Sequence, residues 1–374
     1  MKFIASTSTL LKQLQIINGV ISSKVVIPIL EYFLFEVENG KLRIVGTDLE
    51  VSIQGTIPVE SEENGKIAVP AKIILDILKS LPDQPVTFTI NDKNHSIELT
   101  TDTGKYKISG EVAEDFPKFP TLSDASSFAL PMDVFFQAIS KTLFAVGSDE
   151  LKPALTGLFI DLTENDIKFV STDGNKLVKY QRNDYHISTP TSFILPKKAL
   201  NVLKGSLVAE DSNLVDIKFN KVNAMFAFND ITIICRLIDE RFPDYNSAIP
   251  VELPSKLMIN RYELIDSLKR IQIFANKTTY QVKFTISGNE LQLTSQDLDY
   301  ANEGYERLNC EFEGEDMEIG FSAKFLIEML STLTSEEVIL SLSAHNRPGT
   351  LIPANAQENE EIIMLLMPIV IKFN

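Results

Sequence analysis

The 374-residue chain is poor in the residues that most chemistry depends on. It has only two cysteines, Cys235 and Cys310, too few for a disulfide framework or a structural zinc site. That scarcity fits a reducing, cytoplasmic setting. Its three histidines, His95, His186 and His345, stand apart from one another without partners at catalytic spacing. No Gly-rich phosphate loop, metal-ligand cluster or nucleophile elbow occurs. The expectation is a protein that is not an enzyme and needs neither cofactor nor metal. No window holds the ~18 uninterrupted apolar residues of a membrane span. The opening Met1-Lys2-Phe3-Ile4-Ala5-Ser6-Thr7 lacks the apolar stretch of a signal peptide, so no membrane partner is expected. Positive charge is also short: 35 Lys and Arg face 51 Asp and Glu, a net charge of −16. Taken whole, that balance argues against nucleic acid, whose phosphates need a basic footprint. The objection depends on where the charges sit.

What the chain does have is a long internal repeat. Val69-Pro70-Ala71-Lys72, Leu195-Pro196-Lys197-Lys198 and Phe321-Ser322-Ala323-Lys324 each open an apolar helical run. The aligned lysines are 198 − 72 = 126 and 324 − 198 = 126 residues apart. That period far exceeds the roughly 20–50 residues of solenoid units, so a whole domain is repeated. Gly46-Thr47-Asp48 recurs as Ser171-Thr172-Asp173, and Asp115-Phe116-Pro117 recurs as Arg241-Phe242-Pro243. The recurring Thr-Asp fits a turn or cap, because Asp bonds nearby backbone, better than a pair of catalytic carboxylates. Polar or Pro-bounded stretches near 120–130 and 250–255 divide the chain into 1–122, 128–250 and 251–374. Apolar stripes predict helices over 8–17, 71–81, 132–145, 197–206, 260–271 and 323–331, with alternating strand patterns between them. The expected class is α+β: three tandem repeats of one domain, each with two helices and antiparallel sheets.

Charge is sorted by element. The six helical windows hold eleven basic residues (Lys12, Lys72, Lys79, Lys141, Lys197, Lys198, Lys204, Arg261, Lys269, Arg270, Lys324) and five acidic ones, a balance of 11 − 5 = +6. The remainder carries −16 − 6 = −22. Lys72 and Lys79 lie seven apart on one helix face, opposite an apolar stripe of Ile73, Ile74, Ile77 and Leu78. Lysines also populate ordinary solvated helix faces, and that alternative stays open at this stage.

These motifs together resemble a known family, the bacterial sliding clamp, which is the beta subunit of DNA polymerase III. The resemblance runs from residue 1 to 374. It is carried by Met1-Lys2-Phe3, Ile27-Pro28-Ile29-Leu30, Gly46-Thr47-Asp48-Leu49-Glu50, Val69-Pro70-Ala71-Lys72, Asp115-Phe116-Pro117, Ser171-Thr172-Asp173-Gly174, Arg241-Phe242-Pro243-Asp244-Tyr245, Met317-Glu318-Ile319-Gly320-Phe321 and Met367-Pro368. It implies three clamp domains per chain and a head-to-tail homodimer closed into a ring. Helices would line the hole around double-stranded DNA, with sheets outside. It further implies a non-catalytic processivity factor of DNA replication with no 3'-5' exonuclease activity. Such a clamp binds DNA topologically and without sequence preference, and it tethers the replicative polymerase, the clamp loader and other clamp-binding proteins. Tethering turns rebinding into an intramolecular event at high effective concentration.

Residue by residue, the resemblance places a partner-peptide pocket at Leu155, Thr172, Gly174, Leu177, Pro243, Leu365, Leu366, Met367 and Pro368. Asn175 and Lys176 stand where the family often has His-Arg, and Ser247 replaces a frequently basic residue. As residues alone, Leu155, Leu177, Leu365 and Leu366 are equally ordinary core leucines. The resemblance puts Lys24, Lys72, Lys79, Lys141, Lys197, Lys198 and Lys204 toward DNA. It puts Tyr106 and Ile108 against Ile273 and Phe274 at the dimer interface, although these four also fit as core residues of their own domains. The competing reading is a protein-only scaffold of three α+β modules, which would have no need of helix-specific positive charge.

Overall fold

The computed structural model describes residues 1–22, 26–185, 187, 190–297 and 299–370. One order of elements occurs three times. The first run is β1 (Lys2–Ser6), α1 (Thr7–Ile17), β2 (Tyr32–Glu38), β3 (Lys41–Thr47), β4 (Val51–Pro58), β5 (Gly65–Pro70), α2 (Ala71–Ser80), β6 (Pro85–Ile90), β7 (Ser96–Thr100) and β8 (Lys105–Ser109). The second is β9 (Ser126–Pro131), α3 (Met132–Thr142), β10 (Gly157–Leu162), β11 (Ile167–Thr172), β12 (Lys176–Arg182), β13 (Thr191–Pro196), α4 (Lys197–Ser206), β14 (Leu214–Phe219), β15 (Asn223–Phe228) and β16 (Ile231–Arg236). The third is β17 (Ser255–Asn260), α5 (Arg261–Ile271), β18 (Gln281–Ser287), β19 (Glu290–Asp297), β20 (Asn302–Asn309), the added short β21 (Glu311–Glu313), β22 (Met317–Ser322), α6 (Ala323–Thr332), β23 (Glu337–Leu342), β24 (Gly349–Pro353) and β25 (Glu360–Leu366). All strand pairs are antiparallel, so the class is α+β.

The helices start where strands must stop. Pro70, Pro131 and Pro196 close β5, β9 and β13 immediately before a helix. A proline has no N–H to extend the ladder, and its fixed φ suits a helix entry. α5 is capped by Asn260, whose side chain accepts from the Tyr262 and Glu263 amides, an interaction worth ~1 kcal/mol. The expected 132–145 helix is shorter, because Leu143–Ala145 tightens into a 3-10 turn. In α2, Ile74, Leu75 and Leu78 turn inward, while Ile73, expected in the same stripe, is half exposed.

Packing divides the chain into two compact units that cut across the repeat. One comprises Met1–Phe136 and Lys198–Leu237, the other Gln137–Lys197 and Ile238–Asn374. The first unit contains a four-stranded sheet, β1-β6-β7-β8, and an eight-stranded sheet, β5-β2-β3-β4-β16-β15-β14-β9. Its core includes Phe3 stacked on Phe88 at 4.7 Å, with Phe35 tilted against both, and Phe135 stacked on Phe226 at 5.6 Å. Each such ring stabilises by ~1.5–3 kcal/mol when fully buried. Gly55 lies beneath α1, where a Cβ would meet the Gln13 amide at 1.5 Å. The second unit contains a nine-stranded sheet, β13-β10-β11-β12-β25-β24-β23-β17-β21, and a four-stranded sheet, β20-β19-β18-β22. Its core includes Phe284 edge-on to Phe321 and Phe169 against Tyr180.

The long sheets are long because strands of successive repeats pair, and the register is the same in both. A cross-strand row of neighbours in the first unit reads Phe128, Ile217, Phe226, Ile233, Ile53, Gly46. The matching row in the second reads Leu257, Leu340, Leu351, Met364, Val178, Ser171. Each begins four residues before a helix and ends two residues before a repeated Asp. The same row begins a third time as Phe3, Phe88, Leu99, Tyr106 and stops, because β8 is a sheet edge. A further pair, Ser295 with Gly304, stands two residues before Asp297, with Gly304 on another edge strand, β20.

Candidate functional site

Three groups of expected residues are placed by the fold. The first surrounds an apolar cluster in the second unit. It begins with the turn between β11 and β12, which explains the recurring Thr-Asp. The Thr172 hydroxyl donates to the Lys176 carbonyl at 2.7 Å and accepts from the Gly174 amide at 3.1 Å. Asp173 Oδ1 accepts from the Asn175 and Lys176 amides at 2.8 and 3.0 Å. Gly174 has φ +92, a left-handed conformation that glycine adopts without a Cβ penalty. Thr47 and Asp48 make the same turn, with Leu49 at φ +77. Both aspartates are therefore structural.

The turn presents Leu177 beside Leu365, its cross-strand neighbour on β25. These two join Val170, Ile194, Phe242 and Tyr245 in one buried cluster, with Ala154, Leu155, Phe159 and Ile249 packed against it. Phe159 and Phe242 stack at 4.7 Å. Tyr245 donates to Asp161 Oδ2 at 3.3 Å, and burial together with that carboxylate pushes its hydroxyl up to about 12. Pro243, Ser247, Gly174, Asn175 and Met367 are exposed around the cluster, and Thr172 is nearly buried. The Met367 amide donates to the Asn175 carbonyl at 2.9 Å, holding Met367 against the turn; the Ile369 amide then donates to the Gly320 carbonyl. Pro368 is half-buried in that segment.

Two expected pocket residues turn away from the cluster. Leu366 alternates to the opposite face of β25 from Leu365 and is 1% exposed. The Lys176 ammonium turns away to Asp173 at 3.0 Å and Glu328 at 3.3 Å, over the Phe325 ring at 4.0 Å. Val170, Ile194, Phe242 and Tyr245 of the cluster, and Phe159 packed against it, were not among the expected residues. Phe242 and Tyr245 sit inside the Arg241–Tyr245 motif and were findable there. Nothing local marks Phe159 and Ile194, which reach the cluster only through strand pairing.

The second group is the expected DNA-facing cations. Lys72 and Lys79 are exposed on one face of α2, and Lys204 is half exposed on α4. Lys198 is ion-paired to Asp48, and the Lys197 ammonium donates to the Val146 carbonyl. Lys141 is a correction. It is buried, ion-paired to a buried Glu360, and lies over the Tyr180 ring, whose hydroxyl also donates to Glu360. An ammonium so enclosed is unavailable to phosphates. Arg261 is likewise buried, donating to the Ser335 and Leu330 carbonyls. The +6 helix balance thus overstates the charge that helices offer to solvent. Lys24 lies outside the described residues.

The third group lies at two of the sheet edges, β8 and β20. On β8, Tyr106 is partly exposed and Ile108 is 9% exposed, so Ile108 is largely covered within its own unit. Ile273 and Phe274 form the 3-10 turn after α5 and are 62% and 37% exposed. The Phe274 ring covers Gly304 of β20 so closely that a Cβ there would meet it at 2.7 Å. Arg270 and Ser267 of α5 both donate to Glu306 of β20, tying helix to edge. The Arg270 bond, followed by the Ser267 bond against opposing burial, holds the Glu306 carboxyl below the ordinary range. Among the described residues no group of three or more His, Cys, Asp and Glu is placed to hold a metal ion. Among the described residues no helix is long and apolar enough to cross a membrane.

Three family models match the chain in order. They are the N-terminal, central and C-terminal domains of the DNA polymerase III beta subunit, at residues 1–120, 129–244 and 246–368. The beta sliding clamp of Synechocystis is 28% identical, over 97% of this chain and 98% of its own length. That of Vibrio cholerae is also 28% identical, over 99% of this chain and 100% of its own. The sliding clamp of Pseudomonas aeruginosa, a DNA polymerase III beta subunit solved with griselimycin bound, superposes with a TM-score of 0.93 at 25% identity, covering 99% and 100% of the two chains. The chain belongs to the family of the bacterial DNA polymerase III beta subunit, the beta sliding clamps.

Proposed function

We infer that two copies of this chain close head to tail into a ring that encircles duplex DNA and tethers a polymerase and other proteins to it, without catalysing a reaction itself. The observation that carries this reading is the interrupted row of cross-strand neighbours. Two such rows run unbroken across the pairings β16–β4 and β25–β12. The third stops at Tyr106, and the piece that would complete it begins at Gly304 on the edge strand β20. An unpaired edge is a template for another chain, and a contact between two different patches generates a ring when its rotation closes. The register follows from the two internal cases. Ile233 faces Ile53 and Met364 faces Val178, so Tyr106 faces Gly304 of a second copy, Ile108 faces Asn302, and Lys107 faces Glu303. Tyr106 then comes to the Phe274 ring that covers Gly304, which supports Tyr106 and Phe274 as interface residues. The three repeats, read as domains 1–122, 128–250 and 251–374, then make six domains around the ring.

DNA is held by topology more than by grip. Each direct phosphate contact fixes register and would break at every sliding step. Exposed lysines such as Lys72 and Lys79 are flexible point charges that attract without a fixed geometry. Several other helix cations are already committed to ion pairs, which lowers the grip further. Partner proteins insert an apolar peptide anchor at the Leu155–Leu177–Leu365 cluster, with Thr172, Gly174, Pro243, Met367 and Pro368 at its rim. A clamp is retained on nicked circular DNA and lost from the same DNA once it is linearised; equal retention on both would instead favour a protein-only scaffold.

A further inference from the structure

The apolar cluster is bordered by segments 148–156, 172–177, 238–249 and 365–370, and their charge is lopsided. Six carboxylates lie on them, Asp149, Glu150, Asp173, Asp239, Glu240 and Asp244, against three cations, Lys152, Lys176 and Arg241. All except Asp173 and Lys176 are exposed. The cation nearest the floor is already committed: the Lys176 side chain is 7% exposed and sits between two carboxylates, Asp173 and Glu328. The tail segment 365–370 contributes no charge, and Ser247 is neutral. The segments bordering this buried apolar cluster therefore carry free charge that is mostly negative, in a chain of net charge −16.

We propose that this cleft selects partner peptides whose apolar anchor is flanked by Lys or Arg, and disfavours peptides with acidic flanks. The proposal rests on reading the cluster as the partner-peptide site. Rim charges act over roughly a Debye length of ~8 Å at physiological salt, so they discriminate without touching the anchor. Complementary rim charge of this kind changes encounter and specificity more than total affinity.

The test uses the full-length protein and three synthetic peptides that share one Leu- and Phe-containing anchor and differ only in flanking Ser, Lys or Glu. Fluorescence anisotropy is recorded at low and high salt. The Lys-flanked peptide binds about three- to tenfold tighter than the Ser-flanked one, and the Glu-flanked one is weaker by a similar factor, the size expected for a few exposed ion pairs. Both differences shrink as salt rises, and Glu240→Lys narrows the ratio between the Lys- and Glu-flanked peptides. Binding of the Ser-flanked peptide with no flank effect, or with preference for Glu, would overturn the charge proposal and leave the cleft standing. Failure of all three to bind would overturn the cleft reading itself.

Discussion

Reversing Lys107 probes the interface register more sharply than truncating an apolar residue would, because a charge has a sign that its partner can match. β8 carries Lys105 and Lys107 on its outer face, and β20 carries Glu303. In the inferred pairing Lys107 stands directly opposite Glu303. The equivalent internal positions are Ile234 opposite Ser52 and Leu365 opposite Leu177, so only the joint between copies has this charged pair. A cross-strand pair of opposite charges contributes ~0.2–1 kcal/mol, and like charges directly opposite destabilise by a similar amount. Lys107→Glu therefore costs about 0.5–2 kcal/mol per joint. A head-to-tail dimer has two identical joints, so the total is ~1–4 kcal/mol, roughly a five- to several-hundred-fold rise in dimer Kd. Sedimentation equilibrium across protein concentration and salt measures it, with the penalty diminishing as salt screens the pair. The double exchange Lys107→Glu with Glu303→Lys restores the dimer. A single reversal that leaves Kd unchanged, or a double exchange no better than either single one, would refute the register.

Two further outcomes follow from buried and partly buried charge. Glu360→Gln leaves the Lys141 ammonium enclosed without its counter-charge and costs ~3 kcal/mol or more, read as a lower urea midpoint; an unchanged midpoint would mean the pair contributes nothing. Glu306 has its carboxyl depressed in the folded state, so its contribution is present above the ordinary value of 4.5 and is lost as pH falls through the folded value. Glu306→Gln accordingly removes part of the stability lost on acidification below about pH 4.5, seen as a flatter dependence of urea midpoint on pH.

Much of the fold is legible because it is local. The stripes that begin at Ala71, Lys197 and Ala323 start helices within a residue of where they were expected, since proline or strand end, apolar spacing and side-chain burial all act over one or two turns. The recurring Thr-Asp was legible as a turn for the same reason. What stayed hidden is long-range. Nothing near Lys141 in sequence announces Glu360, which arrives 219 residues later through β12–β25 pairing. Leu365 and Leu366 look alike as residues, and only the alternation of β25, fixed by its register with β12, separates the cleft from the opposite face. Charge counting by helix was too generous, because Lys141 and Arg261 are buried while Lys198 and Arg270, though exposed, are already held in ion pairs.

The most direct test of the ring joins its two joints covalently around DNA. Lys107→Cys and Glu303→Cys place thiols opposite each other at both joints, while the native Cys235 and Cys310 are buried. The doubly substituted protein is loaded on nicked circular DNA and treated with a short bis-maleimide, then with denaturant. A ring around the duplex gives a cross-linked dimer that stays with the circle under denaturing conditions and leaves when the DNA is cut once. Cross-linked protein that leaves the intact circle in denaturant, or thiols that never join, would contradict it.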